Sequence, residues 1–363
     1  MVDARRELPV LHARGDGKEL GRFVGEAMRL LIQKRVEQQA WLHEAKAKYE
    51  SGALRPVVDS LASAGRTAFP QLWEEMEGMA HGSQVEFLYI LLINLQREMR
   101  YFVPEDSERA KYVKKVVSPD MNCTDVFYKG SEGWWLCHNE DGGDAADMHF
   151  LFMLQVKGNH GTFTGLTYAG ELPSSAFGYN SSGLVFTMDG LSPVHLDPGG
   201  VPRNFVSRKL MEAKTMDEAL CIVTEARHSV GHNYNIVSVA QGEFSAVSVE
   251  TAPRGLFSIQ TLVDECFFHA NRYLRVTTPQ IPNPSSEHRE MRVQELLPVN
   301  RLDALLAILA DQEDETWPIF DPHGNGSTYC TAVFDFKQRQ VEVYMGNPLK
   351  RECCFSDALL ERV

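Results

Sequence analysis

Cys123 is the residue best placed for covalent chemistry. It opens a run of strand-forming residues, Val126, Phe127 and Tyr128 among them. Before it lies a charged stretch with Glu105, Asp106, Lys111, Lys114 and Lys115. A cut between Asn122 and Cys123 would free an α-amine on the same residue as the thiol. An α-amine titrates near ~8, closer to working pH than a lysine, and can take the thiol proton itself. No histidine is then required, and the thiolate can attack an amide or thioester carbonyl. The same position also suits an inert cysteine buried in a strand. Position alone leaves both readings open.

Other chemistry-bearing patterns are weaker. No GxGxxG follows a strand, and neither GxxxxGK[ST] nor HExxH occurs, so nucleotide cradling and a zincin site lack support. Glu140, Asp141, Asp144 and Asp147 do not have EF-hand spacing and read as solvated loop acids. His232 and His323 read as isolated histidines in polar loops. The seven cysteines are scattered without a CxxC pair, and Cys353 and Cys354 are adjacent, which suits neither a disulfide framework nor a zinc ribbon. No GxSxG elbow is present for a serine triad.

These residues need a scaffold, and 363 residues are enough to bury a large core. The net charge of -13 argues against nucleic acid or an anionic membrane as partner, because both select basic faces. No apolar run is long enough to span a bilayer or serve as a signal peptide, so a soluble, cytoplasmic protein is expected.

Residues 16–100 carry helical periodicity, with Leu20, Phe23, Val24, Ala27, Leu30 and Leu31 on one stripe. Gly17, Gly21 and Gly25, four apart, predict close packing against a second helix. Further helices are predicted at 54–66, at 72–80 with Gly82 as cap, and at 85–97, followed by an exposed linker over 101–120. Beyond 121 the texture turns to strands, at 123–128, 134–138, 150–156, 161–168 and 184–188. Helices return at 203–213 and 216–227. Strands follow at 234–240, 244–250 and 266–270. Helices at 286–295 and 302–309 precede a closing hairpin, 329–336 with 340–345. Strand runs broken by helix pairs predict an α+β layered fold, not a parallel doubly wound sheet.

Eight short motifs keep order and spacing from about residue 9 to 355. They are Cys123-Thr124, His138-Asn139-Glu140-Asp141, and Tyr168-Ala169-Gly170-Glu171-Leu172-Pro173. Next come Asn180-Ser181-Ser182-Gly183-Leu184, Pro202-Arg203, Val249-Glu250-Thr251-Ala252-Pro253, His269-Ala270-Asn271 and Gly346-Asn347-Pro348. In these the chain resembles the isopenicillin N acyltransferase family, the acyl-coenzyme A:6-aminopenicillanic acid acyltransferase-like N-terminal-nucleophile (Ntn) hydrolases. Within the family it is most similar to the branch that hydrolyses β-alanyl amides of dopamine and histamine.

The resemblance implies a four-layer αββα sandwich of two antiparallel sheets with a helical N-terminal segment. It implies self-cleavage at Asn122–Cys123 into an α chain, 1–122, and a β chain, 123–363, held as a heterodimer in one integrated unit. Cys123 matches the nucleophile, Asp141 the carboxylate that orients the freed ammonium, and Asn271 the oxyanion-hole side chain. Loss of such a donor typically costs about 3 kcal/mol in kcat. Asp189 and Tyr168 are expected in the substrate site, Asp189 facing a cationic β-alanyl ammonium, and Glu250 is given a structural role. The substrate is a small amide; no cofactor, metal, nucleic acid or membrane is expected.

Three positions depart from or refine the pattern. Asn122 stands where the family usually has Gly, and Asn325 where the acyltransferase branch carries Arg. The Gly346-Asn347-Pro348 ending fits the hydrolase branch. Two alternatives therefore stand beside the amidohydrolase: an acyl-coenzyme A-dependent N-acyltransferase, and an uncleaved binding protein with an inactive Cys123.

Overall fold

A computed structural model describes residues 8–99, 123–142, 147–173, 176–240, 243–263, 265–322, 327–350 and 352–359. The expected cleavage residue Asn122, the 101–120 linker, Asp144, His323 and Asn325 lie outside the described residues.

Strand β1 (Val10–Arg14) leads into α1 (Gly17–Ala27), α2 (Arg29–Gln38), α3 (Ala40–Glu50), α4 (Arg55–Ala68), α5 (Pro70–Ser83), α6 (Phe87–Asn94) and α7 (Gln96–Met99). After the junction come β2 (Thr124–Lys129), β3 (Trp134–Asp141), β4 (Leu151–Gly158), β5 (Gly161–Tyr168), β6 (Phe177–Asn180) and β7 (Leu184–Leu191). Helices α8 (Arg203–Leu210) and α9 (Met216–Glu225) precede β8 (Gly231–Ser238), β9 (Ser245–Ala252), β10 (Leu256–Thr261) and β11 (Glu265–His269). The chain closes with α10 (Pro284–Leu296), α11 (Leu302–Leu309), β12 (Thr328–Asp335), β13 (Gln340–Met345) and β14 (Phe355–Ala358).

The strands form two sheets, in the orders β1-β4-β5-β6-β7-β8-β9-β10 and β11-β2-β3-β12-β13-β14. Period-2 alternation sorts their side chains into layers. Phe152, Leu154 and Val156 of β4 join Leu20, Leu61 and Met76 in a core between the large sheet and the N-terminal helices. Their neighbours Leu151 and Met153 face inward and meet Phe127, Leu136 and Phe334 of the small sheet. On the far side of the small sheet, Val126, Cys137 and Val333 pack on Val293, Leu305 and Ile308 of α10 and α11. The layers are helix, sheet, sheet, helix, as expected. One pairing differs: β1 runs parallel to β4, with Leu11 opposite Leu154, so the large sheet is mixed and not purely antiparallel.

The glycine stripe acts as predicted at two of its three positions. A Cβ on Gly21 would sit 1.8 Å from the Glu75 carbonyl oxygen, and one on Gly25 2.4 Å from that of Met79. Helix α5 reciprocates with Gly78 and Gly82 against Lys18 and Arg22. Gly17 instead opens α1 at φ +52, and a Cβ there would come no nearer than 3.5 Å to α5, at Glu74 Oε2. No described helix is long and apolar enough to cross a membrane.

Candidate active site

Strands β2 and β3 lie side by side with Asp125 opposite His138 and Thr124 opposite Asn139. Alternation therefore turns Cys123, Asp125, His138 and Glu140 toward the space between the sheets. Thr124, Asn139 and Asp141 turn toward α10 and α11. The Cys123 thiol is buried and lies 3.5 Å from Glu140 Oε2. The Tyr168 hydroxyl donates to Glu140 Oε1 at 2.6 Å. His138 bridges the two acids on its face, with Nδ1 3.0 Å from Asp125 Oδ1 and Nε2 3.4 Å from Glu140 Oε2.

Burial pushes the Cys123 thiol well above its usual range, and Glu140, Asp189 and Asp141 add to the shift. The Asp141 backbone amide opposes it by donating toward the sulfur. Burial works to lower His138, but Asp125 and Glu140 outweigh it and hold the imidazole well above its ordinary value. Burial likewise raises Asp141 well above the carboxylate range, against the pull of Arg289 and the Thr328 hydroxyl.

The large sheet supplies the facing wall. Asp189 of β7 has Oδ2 3.0 Å from His269 Nδ1 and accepts from Asn233 Nδ2 at 3.3 Å. Burial and the nearby Asp125 lift Asp189 to about 7. His269 Nε2 lies 3.2 Å from Glu250 Oε1. Glu250 also accepts from the backbone amides of Leu274, Arg275 and Val276 at 2.8, 2.9 and 2.8 Å. Burial alone would raise Glu250, but His269 and those amides bring it down to about 2. Among the described residues, Asp125 Oδ2, Asp141 Oδ1 and Asp189 Oδ1 are buried without a hydrogen-bond partner.

Helix α10 completes the site. Asn283 caps it by accepting from the Ser286 amide at 2.9 Å, and Pro284 stands in its first turn. Helical spacing then puts Ser285, Ser286 and Arg289 on one face. Arg289 Nη1 donates to the Cys123 carbonyl and to Thr124 Oγ1, both at 2.7 Å. Its Nη2 donates to Asn271 Oδ1 at 3.0 Å, and Asn271 Nδ2 donates to the Gly190 carbonyl at 3.1 Å.

The sequence-derived residues Cys123, Asp141, Tyr168, Asp189 and Asn271 thus converge on one region. Sequence reasoning missed Asp125, His138, Glu140, His269 and Arg289 as members. The first three could have been found from the alternation 123, 125 and 138, 140. Glu140 and Asp141 are strand residues, 6% and 2% exposed, and not the solvated loop acids expected. His232 is buried in β8, not in a polar loop. A cavity of about 50 Å³ opens beside Glu140 and Asp141, with Arg35, Arg97, Tyr168 and Arg203 in its wall.

The model of the acyl-coenzyme A:6-aminopenicillanic acid acyl-transferase family matches residues 128–350, and the chain belongs to that family. It is 23% identical over 382 residues to a β-alanyl-dopamine/carcinine hydrolase of Drosophila melanogaster, covering 97% of this chain and 96% of that one. It is also 23% identical over 347 residues to the 40 kDa form of the acyl-coenzyme A:6-aminopenicillanic-acid-acyltransferase of Emericella nidulans, covering 92% of each. The solved Caenorhabditis elegans N-acylethanolamine-hydrolyzing acid amidase ortholog superposes with a TM-score of 0.41 and 11% identity, over 59% of this chain and 93% of that one.

Proposed function

We propose that the chain is a self-processing cysteine amidohydrolase that removes a cationic acyl group, of the β-alanyl type, from a biogenic amine such as dopamine or histamine. The observation that carries this reading is the set of unpartnered carboxylate oxygens on Asp125, Asp141 and Asp189 near a buried thiol. Buried acids without donors are costly, and an ammonium supplies the missing hydrogen bonds. Two ammoniums are at hand: the α-amine freed at Cys123 and the terminal amine of a β-alanyl group. Asp141 orients the first and Asp189 meets the second.

In the precursor the thiol attacks the Asn122 carbonyl, the acyl group shifts from nitrogen to sulfur, and water releases 1–122. The two chains then stay together as a heterodimer. In turnover the α-amine takes the thiol proton and the thiolate adds to the amide carbonyl. Asn271 donates to the oxyanion. Collapse expels the amine, protonated by the α-ammonium, and leaves a thioester on Cys123. Water cleaves the thioester to give β-alanine and the free thiol.

The Emericella nidulans relative has the same 23% identity over a shorter span, which supports a second reading, acyl-coenzyme A-dependent N-acylation through the same thioester. Incubation with β-alanyl dopamine and, separately, with acyl-coenzyme A plus an amine distinguishes them by product. The first reading requires a new terminus, Cys-Thr-Asp-Val, in N-terminal sequencing. A single uncleaved chain without turnover would instead mark an inactive binding protein.

A further inference from the structure

We propose that Cys123, His138 and Glu140 form a zinc site. Their donor atoms, one sulfur, one imidazole nitrogen and one carboxylate oxygen, all lie within 4.8 Å of one another, and all three residues are buried. The two spacings to the shared Glu140 oxygen are those a tetrahedral ion imposes. With Zn–S near ~2.3 Å and Zn–N and Zn–O near ~2.0 Å, ligand atoms sit about 3.5 Å apart for S···O and about 3.3 Å for N···O. Here Cys123 Sγ to Glu140 Oε2 is 3.5 Å and His138 Nε2 to Glu140 Oε2 is 3.4 Å.

The surroundings orient each ligand. Asp125 holds His138 Nδ1 at 3.0 Å, which directs Nε2 at the ion, the carboxylate–histidine pairing that supports zinc ligands elsewhere. Tyr168 occupies Glu140 Oε1 at 2.6 Å, so Glu140 offers Oε2 alone. Both ligand-bearing segments are fixed by the β2–β3 pairing, with Asp125 opposite His138. A sulfur donor selects zinc over magnesium or calcium. Three protein ligands leave the fourth position for water. Coordination expels two protons, one from the thiol and one from His138 Nε2. The dication offsets the carboxylates of Glu140, Asp141 and Asp189 that crowd the sulfur.

The metal site stands without the proposed activity. Its consequence rests on that activity: zinc would hold the sulfur lone pair that attacks substrate, so the ion acts as a reversible brake and not as a cofactor.

Full-length protein, stripped with a chelator, is titrated with ZnCl2 by calorimetry and with CoCl2 by absorption. We expect one high-affinity zinc per chain and a thiolate-to-cobalt charge-transfer band. Cys123→Ser should remove the band, and Glu140→Gln should weaken binding by at least about 10-fold. Cys353→Ser/Cys354→Ser, which deletes the two adjacent thiols near the C-terminus, should leave both signals unchanged. A band that survives Cys123→Ser, or disappears with the Cys353/Cys354 variant, overturns the site. Folded protein that never cleaves β-alanyl amides when stripped of metal, yet binds zinc when it is added, refutes the function and keeps the site. Undiminished turnover with one zinc bound per chain refutes the brake.

Discussion

Arg289 holds the side-chain oxygen of Asn271 at 3.0 Å and thereby fixes which end of that amide faces Gly190. With the oxygen engaged, the nitrogen keeps one hydrogen beyond the bond to Gly190, which the proposed mechanism directs at an oxyanion. In that mechanism Arg289 would act through Asn271 as a positioning residue. Arg289→Lys keeps the charge but not the forked donors. It should lower kcat by roughly 10- to 100-fold with little change in KM. Steady-state kinetics beside a thermal melt checks this, since a purely structural role would lower the melt and spare kcat in the folded fraction.

Cys123→Ala should stop both chain cleavage and turnover while leaving the fold. A denaturing gel would show one band at full mass, and circular dichroism would match the parent. Cleavage at 122–123 in this variant would refute autocatalysis.

Asp189→Asn should separate charge recognition from catalysis. For a β-alanyl amide kcat/KM should fall by about 10-fold or more, because one charge-assisted hydrogen bond is worth about 1.5 kcal/mol or more. For the uncharged propionyl analogue it should change little. Equal losses on both substrates would place Asp189 outside ammonium recognition.

His228, His232 and Glu250 should each withdraw stability as pH falls, against the buried acids Asp141 and Asp189, whose raised values work the other way. Burial depresses His228 to about 4 from 6.5, despite its bond to the Val223 carbonyl. Burial and nearby Arg203 and Arg97 push His232 well below 6.5. A depressed folded pKa gives stability that is full above the unfolded value and is lost as pH falls through the folded one. His228 therefore acts from about 6.5 down to about 4, His232 withdraws stability as pH falls below 6.5, and Glu250, lowered from 4.5 to about 2, acts at the acid end. In thermal melts across the acid range, Glu250→Gln should lose less stability than the parent between about 4.5 and about 2.

Gly21→Ala should destabilise the chain by about 1–3 kcal/mol, because the new methyl would overlap the Glu75 carbonyl and force α1 away from α5. Gly199→Ala is the control for an added methyl, since a Cβ there would meet nothing nearer than Asp197 Oδ1 at 3.5 Å. Urea denaturation of both variants measures the difference; equal losses would mean that contact with α5 is not the cause.

Much of the scaffold is legible because burial imposes a period. The alternation over 340–345, the helical stripe over 302–309 and the turn-bounded run over 161–168 start and stop where the elements do. Strand β1 leaves no such trace, since its residues are mostly exposed and its partner β4 lies far along the chain. Strand β6 is too short to show alternation, and β10 is exposed on both faces. Gly82 has the look of a cap for α5, but the helix continues to Ser83 and ends on Gln84 at φ 58. Gly82 instead meets α1. At the site, Glu140 and Asp141 look like loop acids because the apolar pattern of β3 stops at His138. What extends the strand is β12, with Thr328 opposite Asp141, a partner no local pattern reveals. Arg289 gives no signal at all, being one cation in a polar helix.

Strand β1 lends its edge to β4, and the helices that follow it cover the outer face of the large sheet. A gene encoding 123–363 by itself would therefore yield a polypeptide with a bare β4 edge and an uncovered greasy surface, both invitations to aggregate. Soluble material should need residues 1–122 in the same cell, whether fused or supplied as a separate transcript.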